Sequence, residues 1–140
     1  MKKICQTTSI LLLALLLILS LVSCNTVDAE GLWENATYRR DMEFGKGTTT
    51  VEVEVKVGEE SVTFTIHTDK TTLADALLEH ELISGEEGAY GLYVKVVNGI
   101  TADFEIDGSW WGVYKNGEAT MGVSSTVIAN GEHYELVYEK

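Results

Sequence analysis

Hydrophobic and polar residues alternate along two neighbouring stretches of the chain. In residues 49–57 valine occupies every second position from Val51 onward, and residues 61–67 repeat the pattern with valine, phenylalanine and isoleucine. Because successive side chains of a β-strand point to opposite faces, this period of two predicts strands with one buried and one solvated face. The intervening Gly58-Glu59-Glu60 is a turn signal, so we expect a β-hairpin.

A helical pattern follows in residues 69–83. Thr72, followed three residues later by Asp75, resembles an N-terminal capping box with Asp in place of Glu. We expect the helix to begin there and to be stopped by Gly85. One broad apolar stripe has the spacing of a helix that packs against a sheet: Leu73, Ala74, Leu77 and Leu78.

The rest of the chain predicts further strands separated by turns. Residues 84–91 contain three glycines and are expected to form an exposed loop. Four Asx-Gly dipeptides are typical of hairpin turns, in which both central residues have positive φ: Asn98-Gly99, Asp107-Gly108, Asn116-Gly117 and Asn130-Gly131. Strands are predicted in residues 92–97, 100–107, 109–115, 119–128 (one or two short pieces broken at Gly122) and 133–139.

This order of elements predicts the fold class. A hairpin, one helix and several further strands are most economically buried as a single mixed sheet with the helix across one face. We therefore expect an α+β fold with a β-grasp-like sheet.

The strand predicted at 109–115 holds two of the three tryptophans. Alternation places Trp110, Gly112 and Tyr114 on one face and Trp111 on the other, and we expect Trp111 to be the residue in the core. The exposed face would be a flat apolar slot on which a planar ligand stacks, with the glycine allowing close approach. Tyr90, in the glycine-rich loop, is a further candidate for the rim.

A purely structural role for the second tryptophan is the alternative to ligand binding. In that interpretation one tryptophan anchors the core while its neighbour packs under the N-terminal segment, against Trp33. The sequence leaves both interpretations open. The candidate ligand-binding residues are Trp110, Trp111, Gly112, Tyr114 and Tyr90.

The N-terminus has the features of a secretory leader. Lys2 and Lys3 precede an apolar run at residues 10–19, which is too short and too close to the terminus for an ordinary spanning helix. The run ends at Leu21-Val22-Ser23-Cys24, which resembles a bacterial lipobox. We expect residues 1–23 to be a signal peptide and Cys24 to be acylated, and the alternative is an ordinary leader with a chance cysteine.

Acylation of Cys24 would place the protein at the extracytoplasmic face of the cell membrane. Two acyl chains give stable anchoring where one chain is marginal. Cys5 would be removed with the leader, so Cys24 would be left without a disulfide partner.

Residues 24–47 are expected to form a tether, and residues 48–140 the folded domain. As flexible coil the tether would reach about 25–30 Å. It contains three aromatic residues, however, and residues 37–44 are expected to add an edge strand or to lie against the domain.

Charge and composition exclude several classes of function. The net charge of −12 repels phosphate backbones, so we expect no nucleic-acid partner. The three histidines match no metal motif in their spacing. No nucleophile and base, and no carboxylate pair, has the spacing of a catalytic site. We therefore expect no enzyme activity, no catalytic residues, no metal site and no resident cofactor.

A series of short motifs resembles the DUF4430 family, the transcobalamin C-terminal-like domain, over roughly residues 49–140. The motifs agree in order and spacing: Thr72-Leu73-Ala74-Asp75-Ala76-Leu77-Leu78, Gly91-Leu92-Tyr93-Val94, Val97-Asn98-Gly99-Ile100, Trp110-Trp111, Tyr114-Lys115-Asn116-Gly117-Glu118, Gly122-Val123, Asn130-Gly131-Glu132 and Tyr134-Glu135-Leu136-Val137-Tyr138.

The resemblance implies a β-grasp-like ligand-binding domain, found in surface lipoproteins of Gram-positive bacteria. In animal cobalamin carriers the corresponding domain closes over the corrinoid together with a large helical domain, and no stretch of these 140 residues is expected to supply that helical half. The expected function is a membrane-anchored module that binds a small planar ligand, with cobalamin or another corrinoid as the named candidate, and that presents it to an importer. The alternative is a cell-surface module that binds a protein or wall polymer.

Overall fold

The computed structural model describes residues 28–140. The predicted signal peptide 1–23 and the predicted lipidation site Cys24 lie outside the described residues. The described part is an α+β fold with two sheets and three short helices. Among these residues, no helix is long and apolar enough to cross a membrane.

The larger sheet confirms the predicted hairpin. Its six strands lie in the order β1 (Met42–Gly45), β3 (Glu60–Thr68), β2 (Thr49–Val57), β9 (His133–Glu139), β7 (Trp110–Lys115) and β8 (Glu118–Ala119). β2 and β3 pair antiparallel, β9 runs parallel to β2, and β7 runs antiparallel to β9. The central strands β3, β2, β9 and β7 have the order and directions of a β-grasp sheet.

One face of this sheet forms the core. The alternating valines of β2 are at most 1% exposed, and their partners on β3 and β9 are equally closed to solvent. In register across the sheet, Val53 lies beside Phe64 on one side and Tyr134 on the other. Inward side chains therefore form continuous rows, as the alternation predicted.

The predicted helix is found as α2 (Leu73–Leu78), but it is shorter than expected. The Thr72 side chain accepts a hydrogen bond from the Asp75 N–H at 3.2 Å, which confirms the cap. The prediction that the helix continues to Gly85 is wrong. The helix ends with Glu79 as its C-cap, and Glu81 has a positive φ of 55°.

The segment after α2 forms a second sheet in place of the expected loop. Its strands are β4 (Ile83–Gly88), β5 (Gly91–Val97) and β6 (Ile100–Thr101), in that order. The glycines that suggested a loop permit the pairing, since a Cβ at Gly85 would stand 1.9 Å from the carbonyl oxygen of Tyr93. The loop prediction failed because glycine also serves where two backbones approach closely.

The strand predicted at residues 100–107 is correct only as far as Thr101. The Asp103 carboxylate accepts a hydrogen bond from the Glu105 N–H at 3.0 Å and starts a one-turn helix, α3 (Phe104–Asp107). Gly108 ends it in the left-handed region at φ 78°. Asp107-Gly108 is therefore a helix C-terminus and not the predicted hairpin turn.

The stretch 119–128 is mostly irregular. The two-residue strand β8 and an isolated bridge between Thr72 and Val127 are its only regular pairings among the described residues. The prediction of one or two short strands thus holds for β8 alone.

Residues 28–47 of the predicted tether pack on the domain. The helix α1 (Ala29–Trp33) lies beside the β2–β3 turn, where a Cβ at Gly58 would stand 2.9 Å from the Cβ of Ala29. β1 pairs parallel with β3, so the edge strand expected in residues 37–44 is confirmed. Trp33 is buried, and no aromatic pairing in the described residues joins it to Trp110 or Trp111. The boundary at residues 47 and 48 stays a prediction.

Candidate functional site

One side of β7 lacks a strand neighbour for part of its length. β9 pairs with all of β7, whereas β8 pairs only with Tyr114 and Lys115. The carbonyl of Val113 accepts a hydrogen bond from the Thr120 N–H at 2.8 Å on the β8 side. Since backbone groups of an antiparallel strand alternate in direction, the N–H and C=O of Trp111 face that same side, where the described residues give them no backbone partner.

A cleft of about 350 Å³ lies along this open edge. Its walls come from β7, β5, α3 and the segment after β8, and they are predominantly apolar. Such concave, apolar surroundings with few polar groups are typical of small-molecule sites. The lining residues are Leu92, Tyr93, Val94, Phe104, Trp110, Trp111, Val113, Gly122 and Val123.

The two tryptophans have the exposures predicted for them. Trp111 is 6% exposed and packs edge-to-face on Tyr138 with ring centroids 5.6 Å apart. Trp110 is 39% exposed. Both border the cleft although they leave opposite faces of β7, because the cleft follows the edge of the strand and not one of its faces.

Phe104 is a rim residue that the sequence did not identify. It is 60% exposed and lies edge-to-face with Trp110, with ring centroids 6.3 Å apart. The sequence placed Phe104 in the strand predicted at residues 100–107, and only the helical turn of α3 brings it to the cleft. The sequence does hold a signal for this helical turn: Asp103 is a residue that can cap the start of a helix, and Gly108, five residues later, is one that can end it.

A small polar network holds α3 in place beside the cleft. The buried Ser109 hydroxyl accepts a hydrogen bond from the Asp103 N–H at 3.0 Å and donates one to the Asp107 carboxylate. The Ser109 N–H also donates to Asp107, at 3.1 Å. The Ser109 hydroxyl and N–H, together with Lys140 Nζ at 3.4 Å, hold the pKa of the Asp107 carboxyl below its usual value.

The predicted slot over Gly112 is filled by the protein itself. A Cβ at Gly112 would stand 2.7 Å from Cε2 of Tyr114, so the tyrosine ring covers the glycine. The Tyr114 hydroxyl donates to Glu139 Oε1 at 2.7 Å, which raises the pKa of Tyr114. Neither residue lines the cleft.

Tyr90 also lies away from the cleft. It occupies the β4–β5 turn and is 93% exposed. Of the five residues predicted for ligand binding, the structure brings together Trp110 and Trp111 and places Gly112, Tyr114 and Tyr90 outside the cleft lining.

A second cleft, of about 500 Å³, is polar. It lies between α1 and the start of β3 and is lined by Glu30, Trp33, Glu34, Arg39, Glu60, Ser61 and Val62. Arg39 Nη2 donates to the Glu34 carbonyl at 2.9 Å. Because three carboxylates and one guanidinium line this second cleft, it is a poor match for a flat apolar ligand.

His67 and His133 lie beside polar side chains on the solvated face of the large sheet. The His80 ring, after the end of α2, stacks on Phe44 with ring centroids 5.5 Å apart, and its Nε2 has no hydrogen-bond partner among the described residues. His67 lies between Glu43, at 2.6 Å, and the Thr50 hydroxyl, at 2.9 Å. His133 lies 3.3 Å from Glu52 and 3.4 Å from Glu54. Within residues 28–140, no group of three or more His, Cys, Asp or Glu side chains is placed to hold a metal ion.

Known structures share this fold. A protein from Ruminococcus gnavus ATCC 29149, described as a "putative metal binding protein", is 30% identical, with a TM-score of 0.61 over 66% of this chain and 97% of that one. At that identity and coverage the chain belongs to the same family as the Ruminococcus protein.

Haptocorrin, solved in complex with Cbi, shares the fold at lower identity. It is 21% identical, with a TM-score of 0.56 over 69% of this chain. The chain spans 26% of the length of haptocorrin. No family model matches the sequence, and no curated protein does.

Proposed function

We propose that the chain is a lipid-anchored extracytoplasmic binding module of the transcobalamin C-terminal-like type, which captures a flat, uncharged ligand in the cleft along the open edge of β7. The observation that carries this proposal is the cleft itself. Trp110, Trp111 and Phe104 give it aromatic walls, and the backbone N–H and C=O of Trp111 face it without a strand partner. A corrinoid is the named candidate ligand.

The size of the cleft indicates how such a ligand would be held. About 350 Å³ is at the small end of the range for ligand pockets, so the cleft takes one edge of a large macrocycle and leaves the rest uncovered. Haptocorrin, of which this chain matches about a quarter, supports the idea that a second surface completes the enclosure. In the present protein that surface would belong to a partner such as an importer.

The charges around the cleft disfavour an anionic ligand. Asp103 and Asp107 lie beside Phe104, and Glu139 lies opposite Trp110 in the sheet register. Carboxylates at the rim repel carboxylates of a ligand and reduce its affinity. A corrinoid with amide side chains is therefore expected to bind more tightly than haem, which carries two carboxylates.

Equilibrium dialysis of the chain without its leader against cyanocobalamin, cobinamide and haem tests this proposal. We expect corrinoid binding that Trp110→Ala weakens at least tenfold, because an aromatic wall of the cleft is lost. Tyr90→Ala is the matched control, since it removes an exposed aromatic side chain outside the cleft and is expected to leave affinity unchanged. Absence of binding to either corrinoid at micromolar concentrations would overturn the corrinoid assignment.

A protein or wall polymer as ligand is the second candidate, and the open edge of β7 favours it. Unpaired backbone groups on a strand edge can accept an added strand from a partner. In this case cell-wall fractions or a surface protein would be retained by the immobilised chain while corrinoids would not.

We also propose that the chain has no enzymatic activity and no resident cofactor, since no nucleophile with a base and no metal cluster lines the cleft among the described residues.

A further inference from the structure

The packing of residues 28–47 shortens the distance between the predicted lipid anchor and the domain. Asp28 caps α1, so only residues 25–27 separate Cys24 from the folded part. Four residues of fully extended chain span at most about 14 Å. The face of the domain that carries the start of α1 therefore lies close to the bilayer if Cys24 is acylated.

The strand directions place the ligand cleft at this same end of the molecule. α1 lies beside the β2–β3 turn at Gly58. Because β9 runs parallel to β2, with Lys56 beside Val137, the end of β9 is level with that turn. Trp110 pairs with Glu139, so β7 begins at this end too, two strands away from β2 and about 10 Å across the sheet.

Two exposed apolar side chains of α3 project at this end, among exposed charged residues such as Glu60 and Glu105. α3 immediately precedes β7 and carries Phe104, 60% exposed, and Ile106, 83% exposed. Beside them stands Trp110, 39% exposed. An aromatic and aliphatic group of this kind is typical of surfaces that enter the headgroup region of a membrane.

We propose that α3 is the membrane-contacting element of the protein. Phe104 and Ile106 enter the interface of the membrane in which the acyl chains on Cys24 are anchored. The cleft then opens toward the bilayer. This inference rests on the proposed lipid anchor and adds its orientation. Asp103, Glu105 and Asp107 on and around α3 exclude attraction to anionic headgroups as the cause, so the contact is apolar. Added salt screens the repulsion between these carboxylates and anionic headgroups and therefore does not weaken the contact. A ligand in the cleft would thereby face a partner embedded in the same membrane.

Nitroxide labels on the full, processed lipoprotein test the orientation. Ile106→Cys is the reporter and Glu118→Cys the matched control, since both side chains are exposed and Glu118 lies in β8 at the opposite end of β7. Each labelled protein is reconstituted in vesicles of phosphatidylethanolamine and phosphatidylglycerol. Relaxation by oxygen, which concentrates in lipid, is compared with relaxation by a water-soluble nickel chelate.

We expect the ratio of oxygen to nickel accessibility to be several-fold higher at position 106 than at position 118, and not to be lowered by added salt. Equal ratios in a protein whose Cys24 is shown by mass spectrometry to be acylated would overturn the orientation while leaving the anchor intact. An unmodified Cys24 and failure to float with vesicles would overturn the anchor, and the orientation with it.

Discussion

The two halves of the large sheet show opposite uses of the same alternating pattern. In the half formed by β2 and β3, both strands have neighbours on either side, and the inward valines of β2 are at most 1% exposed. In the half formed by β7, Trp110 is exposed and Trp111 is buried, the residues from Gly112 to Lys115 are all half-buried, and no strand pairs with one edge from Trp110 to Gly112. The first half is closed core, and the second forms a wall of a cleft.

The role of a tryptophan on such a strand therefore depends on what lies beside that strand. Trp111 points inward as the alternation requires, yet it still borders the cleft because β8 ends before reaching it. Phe64 on β3 also points inward, but the rings of Tyr38 and Phe44, from the segment before β2, pack against it and cover it. The N-terminal segment covers Phe64, whereas β5 lies beside β7 without pairing with it and leaves the cleft between them.

The largest expected effect comes from removing an aromatic side chain from the closed half. Phe64 is 0% exposed, so Phe64→Ala is expected to cost about 3–5 kcal/mol in the free energy of unfolding, from lost burial and the cavity left behind. Trp110→Ala, in the open half, is expected to cost less than about half of this because its ring already contacts solvent. Urea unfolding measures both, and equal losses would mean that β7 is as closed as β3.

An intermediate effect is expected where Tyr114 covers Gly112. A Cβ at position 112 would stand 2.7 Å from Cε2 of Tyr114 and 3.2 Å from Glu139 Oε1, so Gly112→Ala must displace the ring and weaken its hydrogen bond. We expect a loss of about 1–2 kcal/mol in the free energy of unfolding. In a Tyr114→Ala background the same substitution should cost clearly less, and identical costs in both backgrounds would show that the ring does not press on Gly112.

The smallest effect concerns acid stability in the open half. Hydrogen bonds from Ser109 lower the pKa of Asp107 in the folded state, so Asp107 contributes stability above its unfolded pKa of about 3.9 and loses it as the pH falls through the lower folded value. Asp107→Asn should therefore lose less thermal stability than the wild type between pH 6 and pH 2.5.

Asp69→Asn is the corresponding variant in the closed half. The Thr48 N–H and hydroxyl lower the pKa of Asp69 in the same way, so a similar reduction in acid sensitivity is expected there. Melting curves as a function of pH measure both variants. If the melting temperature of Asp107→Asn falls at acidic pH as steeply as that of the wild type, the role of the Ser109 contacts is contradicted.

Elements whose signals are local could be predicted from the sequence. Alternation gave the hairpin of β2 and β3 and the closing strand β9, and Thr72 with Asp75 gave the start of α2. The same alternation assigned Trp111 to the core and Trp110 to the surface. These predictions hold because side-chain direction along a strand and capping at a helix start depend on neighbouring residues alone.

The position of the site depends on the tertiary structure. Gly85 fitted a loop prediction because the sequence does not show that β5 supplies a partner backbone. Phe104 is not in the strand predicted at residues 100–107, because Asp103 and Gly108 bracket a helical turn. The cleft exists because β8 is short and β5 passes beside β7 without pairing with it. The pairing of distant strands depends on the whole chain, so local periodicity could identify the two tryptophans but not the open edge that brings them to one site.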